Sequence, residues 1–140
     1  MKTAVIYWSG TGNTEAMANA VAEGMKEAGA DAALLEPGDV NGSTLSGVDA
    51  VAFGCPAMGS EVLEEMDFQP MFDACKNMLS GKRVALFGSF GWGDGQWMRD
   101  WESDCSNAGI SLTCESVTCC ETPDDTALAA CREMGKALAG

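Results

Sequence analysis

The chain has 140 residues, 21 acidic and 8 basic, giving a net charge of −13 with no histidine. That charge argues against nucleic acid and against an anionic membrane surface, which both recruit clustered Lys and Arg. The missing histidine removes the commonest general base and the commonest zinc ligand, so neither an ordinary hydrolase nor a metal site is expected. Hydrophobic residues at 46% are the level of a folded domain, and the length suits a single domain over residues 1–140.

In chain order, residues 4–8 (AVIYW) form a short apolar run that ends at a glycine-rich turn. Residues 14–28 follow with Met17, Ala18, Val21, Ala22 and Met25 at helical spacing, and Gly29 stops them. Residues 32–35 read as a second, alanine-weakened strand broken by Pro37-Gly38, and residues 48–54 as a third. Residues 68–79 place Met71, Phe72, Cys75, Met78 and Leu79 on one helical face. Residues 83–90 are a fourth strand, 96–108 a helix and 110–119 a fifth strand. Pro123 is placed as the first residue of a last helix that runs to Ala139. The first, third and fourth strands are near-continuous apolar runs, as expected for strands buried on both faces. Strand and helix alternate, which predicts an α/β three-layer sandwich around a parallel sheet of order 2-1-3-4-5. In such sheets ligands bind beyond the carboxyl ends of the strands, at the switch point.

The seven cysteines are odd in number and include no Cys-x-x-Cys pair, which fits neither a secreted disulfide framework nor an iron–sulfur cluster. The amino-terminal run meets Glu15 early and is not a signal peptide, and no uncharged stretch is long enough to span a membrane. A reducing cytoplasm is expected, with most cysteines acting as small core hydrophobes. The adjacent pair Cys119-Cys120 is the one to watch for redox chemistry, which the sequence leaves open.

The loop Ser9-Gly10-Thr11-Gly12-Asn13-Thr14 joins the first strand to the first helix. Its glycines permit close backbone approach, while three hydroxyls, an amide and the helix N–H groups converge there, which is a phosphate site in type. It lacks the lysine of a triphosphate loop, and Glu15 replaces the third glycine of a dinucleotide fingerprint. The expected ligand is therefore a terminal phosphate monoester. Two further loops follow the third and fourth strands, at 54–61 (GCPAMGSE) and 89–95 (SFGWGDG). Met58 and Trp92 stand opposite each other in these loops, suited to sandwiching a planar ring.

The residues Tyr7 to Glu15, Ala57-Met58-Gly59-Ser60-Glu61 and Gly88-Ser89-Phe90-Gly91-Trp92-Gly93 together resemble short-chain flavodoxins of clostridia and related anaerobes, and the likeness runs over the whole chain. The resemblance implies noncovalently bound FMN and a low-potential one-electron carrier that shuttles between semiquinone and hydroquinone in place of ferredoxin. It implies that Ser9, Gly10, Thr11, Gly12, Asn13 and Thr14 hold the phosphate. It also implies that Pro56, Ala57, Met58, Gly59, Glu61, Ser89, Phe90, Gly91, Trp92 and Gly93 surround the ring. Within that set, Met58 and Trp92 flank the isoalloxazine and Glu61 accepts from its N3–H. The segment at Cys120 and Glu121 would lie near the ribityl chain. Pro56 stands where some relatives have Ser, and Phe90 where Tyr is frequent, so two hydroxyl contacts are absent. Gly59 would let a peptide turn toward the flavin N5 on reduction. Acidic Glu61, Glu64, Glu65, Asp67 and Asp94 would oppose an anionic hydroquinone and steer a monomeric carrier to redox partners with basic docking patches, such as ferredoxin-type reductases and oxidoreductases. Each such charge contributes only about 0.4 kcal/mol at ~10 Å in water. The alternative reading is an FMN-dependent NAD(P)H or quinone reductase of the same fold, for which the chain offers no evident nicotinamide site. A response-regulator receiver domain is rejected, because Trp8-Ser9 and Gly54-Cys55 replace the acidic residues it needs.

Overall fold

The computed structural model describes residues 1–41, 43–59, 62–91 and 93–140. Strands β1 (Lys2–Tyr7), β2 (Asp31–Leu35), β3 (Ala50–Gly54), β4 (Arg83–Phe90) and β5 (Val117–Cys120) form one sheet in the order β2-β1-β3-β4-β5. Every neighbouring pair is parallel. Helices α1 (Asn13–Glu27), α2 (Phe68–Cys75), α3 (Gln96–Asn107) and α4 (Asp125–Ala139) cover its two faces. All five residues of β3 and the six middle residues of β4 are buried, as their continuous apolar runs require.

The two faces are packed differently. On the α1/α4 side, Met17, Val21, Met25, Cys131, Met134 and Leu138 pack on small strand residues such as Ala52 and Ala85. On the α2/α3 side the core is aromatic. Phe53 on β3 meets Phe72 edge-on with ring centroids 5.0 Å apart, and Trp101 meets Phe68 and Phe72 edge-on at 5.5 and 5.6 Å. Alternate residues of the central strands supply the two cores, because successive strand side chains point to opposite faces.

Several expected boundaries differ: β1 ends at Tyr7 rather than Trp8, and β3 begins at Ala50 rather than residue 48. The fifth strand is only Val117–Cys120, not 110–119: Ile110 is buried, Leu112 makes one bridge to Val84 and the Thr113 N–H donates to the Val84 carbonyl at 2.8 Å, but residues 113–116 are not part of the strand. Within that run Ser116 donates to Glu102 at 2.7 Å. Helix α2 ends at Cys75 and tightens into a 3-10 turn at Lys76–Met78, which leaves Met78 only half-buried. Pro123 precedes α4 rather than opening it. Asp124 is the cap, accepting from the Ala127 N–H at 2.8 Å.

The ends of β3 and β4 approach unusually closely. A side chain at Gly88 would overlap the Cys55 carbonyl oxygen, and one at Gly54 would overlap the Phe87 ring. Exchanging glycine for alanine in a strand interior is ordinarily favourable, so the sign of the effect is diagnostic. Gly88→Ala is expected to destabilise by about 1–3 kcal/mol through overpacking, measured as a lower urea midpoint at unchanged slope.

Candidate functional site

Strands β1, β3 and β4 deliver their following loops to one edge of the sheet, at the β1/β3 switch point. A cavity of about 340 Å³ lies there, lined by Trp8, Gly10, Thr11, Asn13, Pro56, Ala57, Met58, Ser89, Phe90, Gly91 and Glu121. That volume is within the roughly 300–1,000 Å³ common for small-molecule sites. A larger depression of about 540 Å³ lies between β5 and the start of α4. It flanks the edge strand, away from the switch point, and carries Glu115 and Asp124, so the smaller cavity is the better ligand site.

The first loop is built around Gly12, whose φ of 95° puts it in the left-handed region that only glycine adopts freely. The Ser9 hydroxyl turns inward and accepts from the N–H groups of Gly12 at 3.1 Å and Glu15 at 3.3 Å. Thr14, 1% exposed, directs its hydroxyl to Ser89 at 3.3 Å and so ties α1 to β4. Of the six loop residues, Gly10, Thr11 and Asn13 line the cavity, while Ser9, Gly12 and Thr14 shape the turn behind it. Among the described residues, nothing accepts from the N–H groups of Thr11, Asn13 and Thr14. Those free donors at the α1 N-terminus fit a phosphate group.

The other loops form the apolar end. The Ala57 N–H donates to the Ser89 carbonyl at 3.0 Å, which joins the β3 and β4 loops directly. The Trp97 indole donates to the Cys55 carbonyl at 3.1 Å, and the Phe90 ring lies 5.5 Å from that indole. Pro56, Ala57, Met58, Phe90 and Gly91 thereby face one opening together with Trp8. Gly59 and Gly93 lie outside the lining; Gly59 is not left-handed, and a Cβ there would meet open space. Glu61 and Trp92 lie outside the described residues. Trp8, expected at the end of the first strand but not among the binding residues, lines the cavity. Its ring lies across Gly10, 3.1 Å from where a Cβ would stand, and an aromatic side chain at a strand end beside a glycine turn was the available signal. Glu121 has φ 58°, a strained value for a residue other than glycine, and its N–H donates to the Phe90 carbonyl at 2.7 Å.

The acidic residues are not an even rim. Asp94 is paired with Arg99 at 2.9 Å, and Glu64 is buried with its carboxylate hydrogen-bonded to backbone. Glu65 and Asp67 remain exposed beside them. Among the described residues no Lys or Arg lines the cavity.

Sheet order, switch-point cavity and anion-accepting turn define a doubly wound, nucleotide-binding α/β protein. The flavodoxin family model matches residues 5–135, and the chain belongs to that family. Its members bind FMN and transfer electrons, and the aromatic cleft beside the free N–H groups fits that cofactor. The chain is 45% identical to a flavodoxin of Clostridium beijerinckii, covering 96% of this chain and 97% of that one. It is 42% identical to a flavodoxin of Megasphaera elsdenii, over 96% of each. The solution structure of the two-electron reduced Megasphaera elsdenii protein superposes with a TM-score of 0.89 over 98% of both chains. An archaeal flavodoxin, 26% identical, also gives 0.89, over 99% of this chain and 96% of that one.

The cysteines sort by burial. Desolvation pushes the thiols of Cys55, Cys105 and Cys131 up to about 12 and that of Cys119 up to about 11. The Cys119 thiol points to the Met17 sulfur at 3.6 Å, whereas Cys120 is exposed, because adjacent strand residues face opposite ways. All seven thiols are free, so the adjacent pair forms no disulfide. Iodoacetamide on the native protein at neutral pH is expected to add one carbamidomethyl group rapidly, at Cys120, and peptide mass mapping locates it.

Proposed function

We propose that this chain is a low-potential, monomeric one-electron carrier, rather than an enzyme, that serves redox enzymes in place of a ferredoxin. The observation that carries the proposal is the two-ended cavity: backbone N–H groups at Thr11, Asn13 and Thr14 with no acceptor among the described residues, and an aromatic and apolar cleft at Trp8, Met58 and Phe90. Bound FMN supplies one electron at a time, cycling between its one-electron and two-electron reduced forms. Gly10, Thr11 and Asn13 hold the phosphate by backbone and side-chain donors, with Ser9, Gly12 and Thr14 fixing the turn. Pro56, Ala57, Met58, Ser89, Phe90 and Gly91 form the ring site, and family likeness adds Gly59, Glu61, Trp92 and Gly93.

The acidic charge supports the low potential, since a cavity lined by no described cation disfavours adding negative charge to a bound group. Partners are redox proteins with basic patches. On the β3–α2 loop Met66 is 83% exposed between Glu65 and Asp67, an apolar contact flanked by charge. Such a surface favours fast, weak, salt-sensitive encounters. No helix among the described residues is long and apolar enough to cross a membrane, and a reducing cytoplasm suits the free thiols.

The visible spectrum of the purified protein during stepwise reduction tests the reading. Flavin bands that bleach in two one-electron steps support it, and a colourless protein that takes up no added FMN overturns it. Steady NAD(P)H consumption without a partner protein would favour the reductase alternative instead. Gly59→Ala is expected to leave urea stability within about 0.5 kcal/mol, since its Cβ meets open space. The same substitution is expected to narrow the separation between the two one-electron potentials, read by spectroelectrochemistry. Electron transfer to a basic partner is expected to slow as salt rises from 50 to 500 mM, measured by stopped flow.

A further inference from the structure

Glu64 carries a carboxylate but is only 4% exposed. Its Oε2 accepts from the Met66 N–H at 2.8 Å, and its Oε1 accepts from the Asp67 and Phe68 N–H groups, each at 2.8 Å. Its main-chain carbonyl accepts from the Gln69 N–H at 2.8 Å. Asp67, at the cap position of α2, makes no side-chain cap bond. Glu64 therefore satisfies four consecutive amides at the start of α2 from outside the helix. Burial raises the pKa of this carboxyl, but the hydrogen bonds from Phe68, Asp67 and Met66 outweigh that and hold it below its ordinary value.

The same residue is tied to the strand that carries the ring site. The Glu64 N–H donates to the Cys55 thiol sulfur at 3.3 Å. Cys55 is held in turn by its N–H on the Phe87 carbonyl at 3.2 Å and by the Trp97 indole on its own carbonyl. The Met58 N–H donates to the Val62 carbonyl at 2.9 Å, closing the turn that contains Gly59. Leu63 is buried, and Phe68 and Phe72 anchor α2 in the aromatic core. Both ends of the short Gly59 turn are thus fixed to the same framework.

We propose that Glu64 is a positioning residue for the flavin: its carboxylate pins residues 64–68 to the core and confines reduction-linked movement of the β3 loop to the Gly59 turn. The proposal rests on the FMN-carrier reading. It predicts that loosening the pin lets the loop relax in every redox state, so that less of the Gly59 rearrangement is specific to one of them. Removing Glu64 then changes the two potentials by more than the loss of one negative charge does.

The test compares Glu64→Gln with Glu65→Gln in the FMN-loaded protein, the second being an exposed neighbour that loses the same charge. Amide exchange at Met66, Asp67 and Phe68 is expected to quicken about tenfold or more in Glu64→Gln, for loss of charge-assisted bonds, and to stay unchanged in Glu65→Gln. The separation between the two one-electron potentials is expected to narrow in Glu64→Gln beyond its change in Glu65→Gln. Equal changes in the two variants overturn the proposal, because Glu64 then acts only as a charge. Faster exchange with an unchanged separation overturns it as well. If Glu64→Gln does not fold, Glu64→Asp keeps the charge but shortens the reach, and is compared with Glu65→Asp by the same criteria. Failure of the unmodified protein to bind FMN strikes at the carrier reading instead.

Discussion

The close approach of β3 and β4 at their carboxyl ends is the constraint on which the ligand site depends. Gly54 and Gly88 leave no room for side chains, so the Cys55 carbonyl settles over Gly88 and is reached by the Trp97 indole. That contact aims Pro56, Ala57 and Met58 at the loop after β4, where the Ala57 N–H finds the Ser89 carbonyl. Ser89 in turn meets the Thr14 hydroxyl and brings the first loop into the same frame. Three loops far apart in sequence are held by three hydrogen bonds, Trp97 to Cys55, Ala57 to Ser89 and Thr14 to Ser89. A buried donor or acceptor left unpaired costs about 1–3 kcal/mol, so these links resist piecemeal loss.

Charge is placed with the same economy. Holding a phosphate in a protein of net charge −13 would ordinarily call for lysine or arginine. Lys76, Arg99, Arg132 and Lys136 are instead committed to ion pairs with surface carboxylates. Lys82 and Arg83 cap the Val48 and Leu138 carbonyls. On the proposed reading the phosphate is left to N–H groups at the start of α1 that have no acceptor among the described residues, partial charges that attract an anion without placing a full positive charge beside a redox centre. A nearby cation would make a bound group easier to reduce. Its absence from the described lining and the acidic composition act in the same direction on the potential.

Much of this was legible from residue order because the controlling signals are local. Continuous apolar runs marked β1, β3 and β4, and the interleaved glycines and hydroxyls of 9–14 marked the tight turn into α1 that borders the cavity. What could not be read depends on contacts between distant segments. Gly24 and Gly135 sit inside helices, where glycine is locally unfavourable. The structure shows why they are there: a side chain on Gly24 would overlap the Arg132 carbonyl, and one on Gly135 the Val21 carbonyl, so α1 and α4 pack backbone to backbone. Glu64 was read with Glu65 as a rim charge because nothing in a run of acids tells which one turns inward. The fifth strand was drawn too long because the apolar residues of 110–117 satisfy two jobs, Ile110 in the core and Val117 in the sheet.

A carrier that makes and breaks no bonds needs little from its side chains except that they move little. Reorganisation is kept small when the surroundings of the redox group are already fixed, and here the fixed parts are backbone groups tied to strand ends rather than long side chains. The exception is Gly59, which borders the ring site in open space with ordinary backbone geometry. A Cβ at Gly59 would meet no described atom within 4 Å, and glycine carries no Cβ penalty of its own. A freely turning peptide in a slack loop would add conformational entropy to every redox state alike and discriminate among none of them. On the proposed reading, the Met58–Val62 bond and the buried Glu64 take up that slack and leave the freedom to Gly59.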